Sequence, residues 1–252
     1  MANEKVNKKT AAAASRRQQR KLEQERAERR KRLLMIVGGV AAVAIIAVVV
    51  LIVVNNRGGG SSSNKPAVIA APAPDASIPT SGLTIGDPNA PVKLTEYGDY
   101  QCPFCAQFNQ QAFPQLLDQY IATGKVQLTF VPFSFLGDES IAATEAALCA
   151  NDQGKFWAMH ETIYANHNGE NIGNLSDDRL KQMAESSGLD MDQYNACMDA
   201  GTHKGDVQNY SASARQAGIA STPSFVINNG QPFGYNTWDD FKAQIDAALG
   251  TS

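Results

Sequence analysis

An α/β domain with a helical insert, preceded by one transmembrane helix, is the architecture the sequence predicts, and three observations carry the prediction. Leu33 to Val54 is 22 residues without a charge. Beyond it, two strand-like runs, a long stretch of helical periodicity and a third strand-like run follow in that order. The four residues Cys102-Pro103-Phe104-Cys105 stand where the first strand gives way to a helix.

At about 1.5 Å per residue the apolar run measures about 33 Å, enough for a hydrocarbon core of about 30 Å. The apolar region of a cleaved signal peptide is shorter, about 7–15 residues, and a small-residue cleavage site follows closely. Here the Ala-rich stretch Ala70-Ala71-Pro72-Ala73 lies well beyond the run, so the segment reads as an uncleaved signal-anchor. Residues 1–32 carry twelve Lys/Arg against four Glu, a net of +8, whereas residues 81–252 carry eight against twenty Asp/Glu, a net of −12. Arg26, Arg29, Arg30, Lys31 and Arg32 abut the span on one side, and only Arg57 and Lys65 follow on the other. By the positive-inside rule the N-terminus is cytoplasmic and Cys102, Cys105, Cys149 and Cys197 lie outside the cytoplasm, where disulfides persist. Glu25/Arg29 and Glu28/Arg32 at i,i+4 fit a solvated helix leading into the span, so the basic arm is a topology signal and no nucleic-acid partner is expected.

Four segments result: a basic cytoplasmic segment at 1–32, the transmembrane helix at 33–54, a flexible linker at 55–80 and one domain at 81–252. The linker joins Gly58-Gly59-Gly60-Ser61-Ser62-Ser63 to Pro66, Pro72, Pro74 and Pro79, flexible and extended compositions respectively. In the domain, Val92 to Tyr97 reads as a strand, Gln107 to Ala122 as the helix opened by the cysteine motif, and Val126 to Val131 as a second strand stopped by Pro132. Phe156, Trp157, His160, Ile163 and Tyr164 recur at helical spacing, as do Leu180 and Met183, then Val207, Tyr210, Ala214 and Ala217; such stripes are core. Ser224 to Ile227 reads as a strand, Asn228-Asn229-Gly230 as a hairpin turn, and Phe241, Ile245 and Leu249 as the buried face of a closing helix.

Positions i and i+3 share a helix face, so Cys102 and Cys105 can close a disulfide without moving the chain. Cys102 falls at the helix N-terminus, where unpaired N–H groups and the dipole favour a thiolate. It is the expected nucleophile and Cys105 the resolving thiol. Pro103 suits the first helical position, which needs no N–H. Half of a zinc site and a local structural disulfide are the alternatives for a lone C-x-x-C. His160 reads as packing and His167 and His203 as surface residues. No phosphate loop, dinucleotide fingerprint, triad or metal spacing is present, and no metal is expected.

Over about residues 81–250 the chain resembles the DsbA-like branch of the thioredoxin superfamily, specifically its membrane-anchored bacterial members. The resemblance rests on Cys102-Pro103-Phe104-Cys105 after a strand, Thr222-Pro223 before the hairpin strand, and the long helical insert between them. Gly86-Asp87-Pro88-Asn89-Ala90-Pro91-Val92 and Gln153-Gly154-Lys155-Phe156-Trp157 also look like this branch. The resemblance implies a thioredoxin-like fold with a helical insertion and a thiol–disulfide oxidoreductase that forms disulfides in secreted or membrane proteins. Its cofactor is its own Cys102–Cys105 disulfide. It implies a cis Pro223 beside the redox pair, with Thr222 presenting backbone groups to an extended substrate and Phe104 completing the substrate-binding residues. Glu96 stands where the family carries a buried acid, which would exchange a proton with Cys105; an ordinary solvent-facing strand glutamate is the other reading. Asp99, in the connecting loop, is expected to be solvated or capping. Cys149 and Cys197 are expected to form a structural disulfide within the insert, as in some members, or to remain buried free thiols. A DsbB-like or vitamin K epoxide reductase-like membrane protein is the implied reoxidant. One residue departs from the pattern: Phe104 stands where strong oxidases of the family have histidine, and phenylalanine cannot donate a hydrogen bond to a thiolate. A reductase or isomerase, or a peptide-binding chaperone of the same fold, are the alternative functions.

Overall fold

The computed structural model describes residues 67–250. The expected segments 1–32 and 33–54, and residues 55–66 of the expected linker, lie outside them. Among the described residues no helix is long and apolar enough to cross a membrane.

Period-two alternation builds the centre of the sheet. In β3 (Val92–Gly98) the buried face carries Val92, Leu94, Glu96 and Gly98, while Lys93 is exposed and Thr95 and Tyr97 are half-buried. β4 (Val126–Pro132) buries Val126, Leu128, Phe130 and Pro132 in the same way. The two strands pair in parallel, Glu96 opposite Phe130, and a parallel pair needs a crossover. β5 (Ser224–Ile227) pairs antiparallel with the other edge of β3, Glu96 opposite Phe225. Two short strands at one margin, β1 (Thr80–Ser81) and β2 (Thr84–Ile85), and one at the other, β6 (Phe233–Gly234), complete the six-stranded order β1-β2-β4-β3-β5-β6.

The crossover is not the single helix expected over 107–122. It is broken into α1 (Pro103–Gln111), α2 (Phe113–Leu116) and a π-helical turn at Leu117–Ile121. Pro114 lies at the break, and a proline inside a helix removes the N–H that would bond one turn back; the chain restarts with Pro114 in the first turn of α2. Five helices form the insert: α3 (Asp138–Asn151), α4 (Phe156–Ala165), α5 (Asp177–Ser186), α6 (Met191–Ala200) and α7 (Lys204–Gln216). Asp190 caps α6 by accepting from the N–H groups of Asp192 and Gln193. The closing helix α8 (Trp238–Leu249) is capped by Thr237 and buries Phe241 and Ile245.

Helices cover both faces of the sheet. On one, Phe108 of α1 packs against Phe225 at 4.6 Å and Phe241 at 5.2 Å. On the other, Ala214 of α7 joins Phe133 and Ile219 in a small cluster over Tyr97 and Val226. Gly98 ends β3 where a Cβ would lie 2.6 Å from the Phe130 ring and 3.1 Å from the Tyr164 hydroxyl. Gly98→Ala is therefore expected to destabilise the domain by about 1–3 kcal/mol through overpacking, read as a lower midpoint in urea denaturation; an unchanged midpoint would show that the ring can yield.

The domain takes in residues assigned to the linker. Asn166 of the insert accepts from the Ile69 N–H at 2.8 Å and donates to the Ile69 carbonyl at 2.7 Å, and Ile78 is buried. Within the insert, α3 and α6 are joined by a Cys149–Cys197 disulfide with Cα atoms 5.9 Å apart. Closing a 48-residue loop restricts the unfolded chain by about 4 kcal/mol in the chain-entropy picture.

Candidate active site

The C-terminal end of the central strand β3 and the start of α1 lie at one end of the strands, and the antiparallel β3–β5 pair brings residues before Ser224 to the same end. Tyr97 lies opposite Ser224, so the loops carrying Cys102 and Thr222 meet. Cys102 caps α1 with extended backbone, φ −71° and ψ 120°, and Pro103 occupies the first turn. Both cysteines are free thiols and both are buried. The Cys102 Sγ lies 3.3 Å from the Thr222 carbonyl, to which its thiol donates. The Thr222–Pro223 peptide is cis.

The pair is electrostatically unequal. Cys102 is drawn down to about 6, mainly because the Cys105 thiol donates to its thiolate; burial opposes this, and the Thr222 side chain and the backbone N–H groups of Cys105 and Phe104 reinforce it. The Thr222 hydroxyl is buried and has no hydrogen-bond partner. Ionised sulfur gives it an acceptor. Cys105 is pushed well above the usual thiol range by burial, then by Cys102 and Glu96. One thiol is thus poised to attack and the other to hold a proton.

Glu96 lies on the core face of β3, 2% exposed. Burial, and then the nearby Glu161 carboxylate, push it up to about 8. The solvent-facing alternative does not hold. Asp99 is not solvated either: it is fully buried, and its carboxylate accepts from the N–H groups of Gln101, Phe135 and Leu136 and from the Ser140 hydroxyl at 2.5–3.1 Å. It ties the cysteine loop to the loop after β4.

Three residues at the site escaped the sequence reading. Gln101 is buried beside Cys102 and holds the insert through Ser140 and Asn171, donating to Ser140 Oγ at 3.0 Å and accepting from the Asn171 N–H at 2.6 Å. His167, expected at the surface, is half-buried with Nε2 2.9 Å from the Gln101 carbonyl. Glu161 is pushed up to about 8 by burial, against a hydrogen bond from Asn109 that lowers it. Its signal was legible, since it falls at i+4 from Trp157 within an apolar stripe. His160 packs as expected: it is 1% exposed, 3.0 Å from the Tyr100 hydroxyl, and burial lowers it to about 3. His203 is not a free surface residue, because it bridges Asp152 and Asp206 at 2.8 Å each beside the Cys149–Cys197 disulfide.

Two thiols of unequal acidity at a helix N-terminus, beside a cis-proline loop on a thioredoxin-like sheet with a helical insertion, define a DsbA-like thiol–disulfide oxidoreductase. Residues 79–247 match the family model described as Thioredoxin, and the chain belongs to that family. It is 29% identical over 170 residues to the probable disulfide bond formation protein D of Bacillus cereus, covering 66% of this chain and 78% of that one. The crystal structure of oxidised BdbD from Bacillus subtilis superposes with a TM-score of 0.62 at 26% identity, covering 67% of this chain and 93% of that one. A thioredoxin-like oxidoreductase from Silicibacter pomeroyi gives 0.57 at 27% identity, with 71% and 95% covered.

Proposed function

We propose that this protein is a membrane-anchored oxidase of protein thiols, using Cys102–Cys105 to form disulfides in secreted or membrane proteins outside the cytoplasm of a bacterium. The observation that carries the reading is the low-lying Cys102 thiol beside the buried, proton-retaining Cys105. A substrate thiolate attacks the Cys102 sulfur; the Cys102–Cys105 bond breaks, a mixed disulfide forms, and Cys105 departs as a thiolate that takes a proton from Glu96. A second substrate thiolate then attacks the substrate sulfur, releasing a disulfide and the Cys102 thiolate. A thiolate with a pKa of about 6 is a good leaving group at neutral pH, which favours the oxidising direction. The two electrons pass on to a DsbB-like or vitamin K epoxide reductase-like membrane partner. Phe104 at 64% exposure, Phe135 and Ile172 offer apolar surface to an unfolded chain, and the Thr222 loop offers backbone groups for edge pairing.

The test is incubation of the oxidised protein with a reduced, unfolded substrate protein, followed by mass spectrometry of both. One substrate disulfide should form for each protein reduced. Phe104→His adds a donor near the Cys102 thiolate, so equilibrium with glutathione should show the variant more oxidising than the wild type. A wild-type potential at or below that of thioredoxin would replace the oxidase with a reductase. Topology is tested independently. Protease added to intact spheroplasts should remove the domain and spare residues 1–32, and a protected domain would overturn the orientation.

A further inference from the structure

Cys149 and Cys197 are closed as a disulfide, and the side chains gathered around them have the chemistry of a metal site. Cys149 lies in the last turn of α3, and Asp152, three residues on, caps the end of that helix. Cys197 lies in α6, and His203, six residues on, stands at the start of α7. Both sulfurs and one His203 ring nitrogen lie within 4.8 Å of one another. His203 Nε2 faces Asp152 Oδ2 at 2.8 Å, and the same oxygen lies 3.9 Å from Cys197 Sγ. A tetrahedral Zn²⁺ with bonds of about 2.0–2.3 Å holds its ligand atoms about 3.3–3.8 Å apart. Opening the sulfur–sulfur bond therefore leaves four groups within small side-chain movements of that arrangement. The other ring nitrogen, Nδ1, lies 2.8 Å from Asp206 Oδ2, the carboxylate–histidine pairing that orients a metal-binding imidazole. We propose that reduction of the Cys149–Cys197 disulfide converts this corner of the insert into a zinc site ligated by Cys149, Cys197, Asp152 and His203 Nε2, with Asp206 orienting the imidazole.

A dithiol reductant closes the balance. Its two electrons break the sulfur–sulfur bond, giving two cysteine thiols and the oxidised dithiol. Both ring nitrogens of His203 face carboxylate oxygens, so both carry hydrogen. Zn²⁺ displaces one proton from each thiol and the one on Nε2, and three protons leave for each ion bound. Two thiolates and an imidazole select zinc over calcium or magnesium, which take oxygen ligands. Each state staples the insert: the disulfide joins α3 to α6, and zinc would add α7 through His203. Cys102 and Cys105 take no part, so the site stands whichever way exchange runs there. The ligands pair locally as Cys149-x2-Asp152 and Cys197-x5-His203, a helix residue with one just beyond it, and short local pairs of this kind build structural zinc sites. Comparing His203 with the other histidines alone hides this pattern.

The test uses the full chain in detergent with Cys102→Ser and Cys105→Ser, which leaves Cys149 and Cys197 as its sulfur ligands. The protein is reduced by a phosphine, freed of reductant without oxygen, titrated with Co²⁺ and then with Zn²⁺. The reduced protein should take one Co²⁺ per chain with tetrahedral d–d bands and a thiolate-to-cobalt charge-transfer band, and one equivalent of Zn²⁺ should bleach both. The oxidised protein should show neither. His203→Ala should shift the d–d bands and weaken binding at least about tenfold, while Asp206→Asn should leave the bands in place and weaken binding on the order of tenfold. Asp206 is exposed, so its variant carries the test if His203→Ala does not fold. Zinc should raise the melting temperature of the reduced protein and leave that of the oxidised protein unchanged; if the reduced chain unfolds without metal, zinc should restore its circular dichroism. A reduced protein without the charge-transfer band would overturn the site. Equal affinity in the reduced parent, His203→Ala and Asp206→Asn would do the same, because the cysteines alone would then be holding the metal.

Discussion

Cys102→Ser is expected to lower thiol–disulfide exchange by at least about a hundredfold, and Cys105→Ala to accumulate covalent complexes with substrate proteins. The asymmetry follows from ionisation. At pH 7 a thiol with a pKa of about 6 is about nine-tenths thiolate, whereas one pushed well above 9 is under about one-hundredth ionised, and the thiolate is what attacks. Access points the same way, since Cys105 is wholly buried and Cys102 retains 5% exposure at the mouth of the Thr222 loop. With Cys105 removed, the mixed disulfide at Cys102 loses its nearest resolving thiol and persists. Non-reducing electrophoresis of trapped cells reads the outcome, and complexes that survive in Cys102→Ser while vanishing in Cys105→Ala would reverse the two roles.

The second large effect concerns stability. Glu96→Gln should raise the stability of the reduced domain on the order of 2–3 kcal/mol at pH 7, about 5–10 °C in melting temperature for a domain of this size. In the unfolded chain the carboxyl ionises near its ordinary 4.5, while in the fold burial and Glu161 hold it protonated to about 8. The unfolded state therefore releases a proton that the folded state keeps, and wild-type stability falls as pH rises from about 4.5 to about 8. Glutamine has no proton to lose. Its advantage should be small at pH 4.5, grow through that window and flatten above it. A pH-independent gain would show that packing, not ionisation, separates the two side chains. The same substitution should slow exchange, so stability and activity move in opposite directions at one position.

Local pattern made most of the frame legible. Alternation along Val92–Gly98 and Val126–Pro132 and the helical stripe around Phe156–Tyr164 depend only on near neighbours, and these elements fall where the periodicity placed them. What was missed depends on distant partners. β1 and β2 are two residues each, too short for any alternation to show, and exist because β2 pairs with β4. Asp99 looked like a loop acid because nothing nearby in sequence supplies its donors; they come from Phe135, Leu136 and Ser140. Gln101 and His167 meet across 66 residues. Pro114 is legible as a helix breaker within 107–122, and the break falls there. Glu161 is legible as an acid at i+4 from Trp157 within a core stripe, but its neighbour Asn109 lies 52 residues away in the chain.

The cysteine loop is tied by Asp99 to the segment after β4 and by Gln101 to the segment after α4, each through several hydrogen bonds. A mouth braced on two sides does not reshape itself around a guest, so the adaptation falls to the guest. Only a chain still loose enough to lie extended across Thr222 and turn a thiol toward Cys102 meets that demand. Timing then becomes the selector: a substrate protein is open to this enzyme only until its own collapse, and the rate at which it folds decides how many of its cysteines are reached.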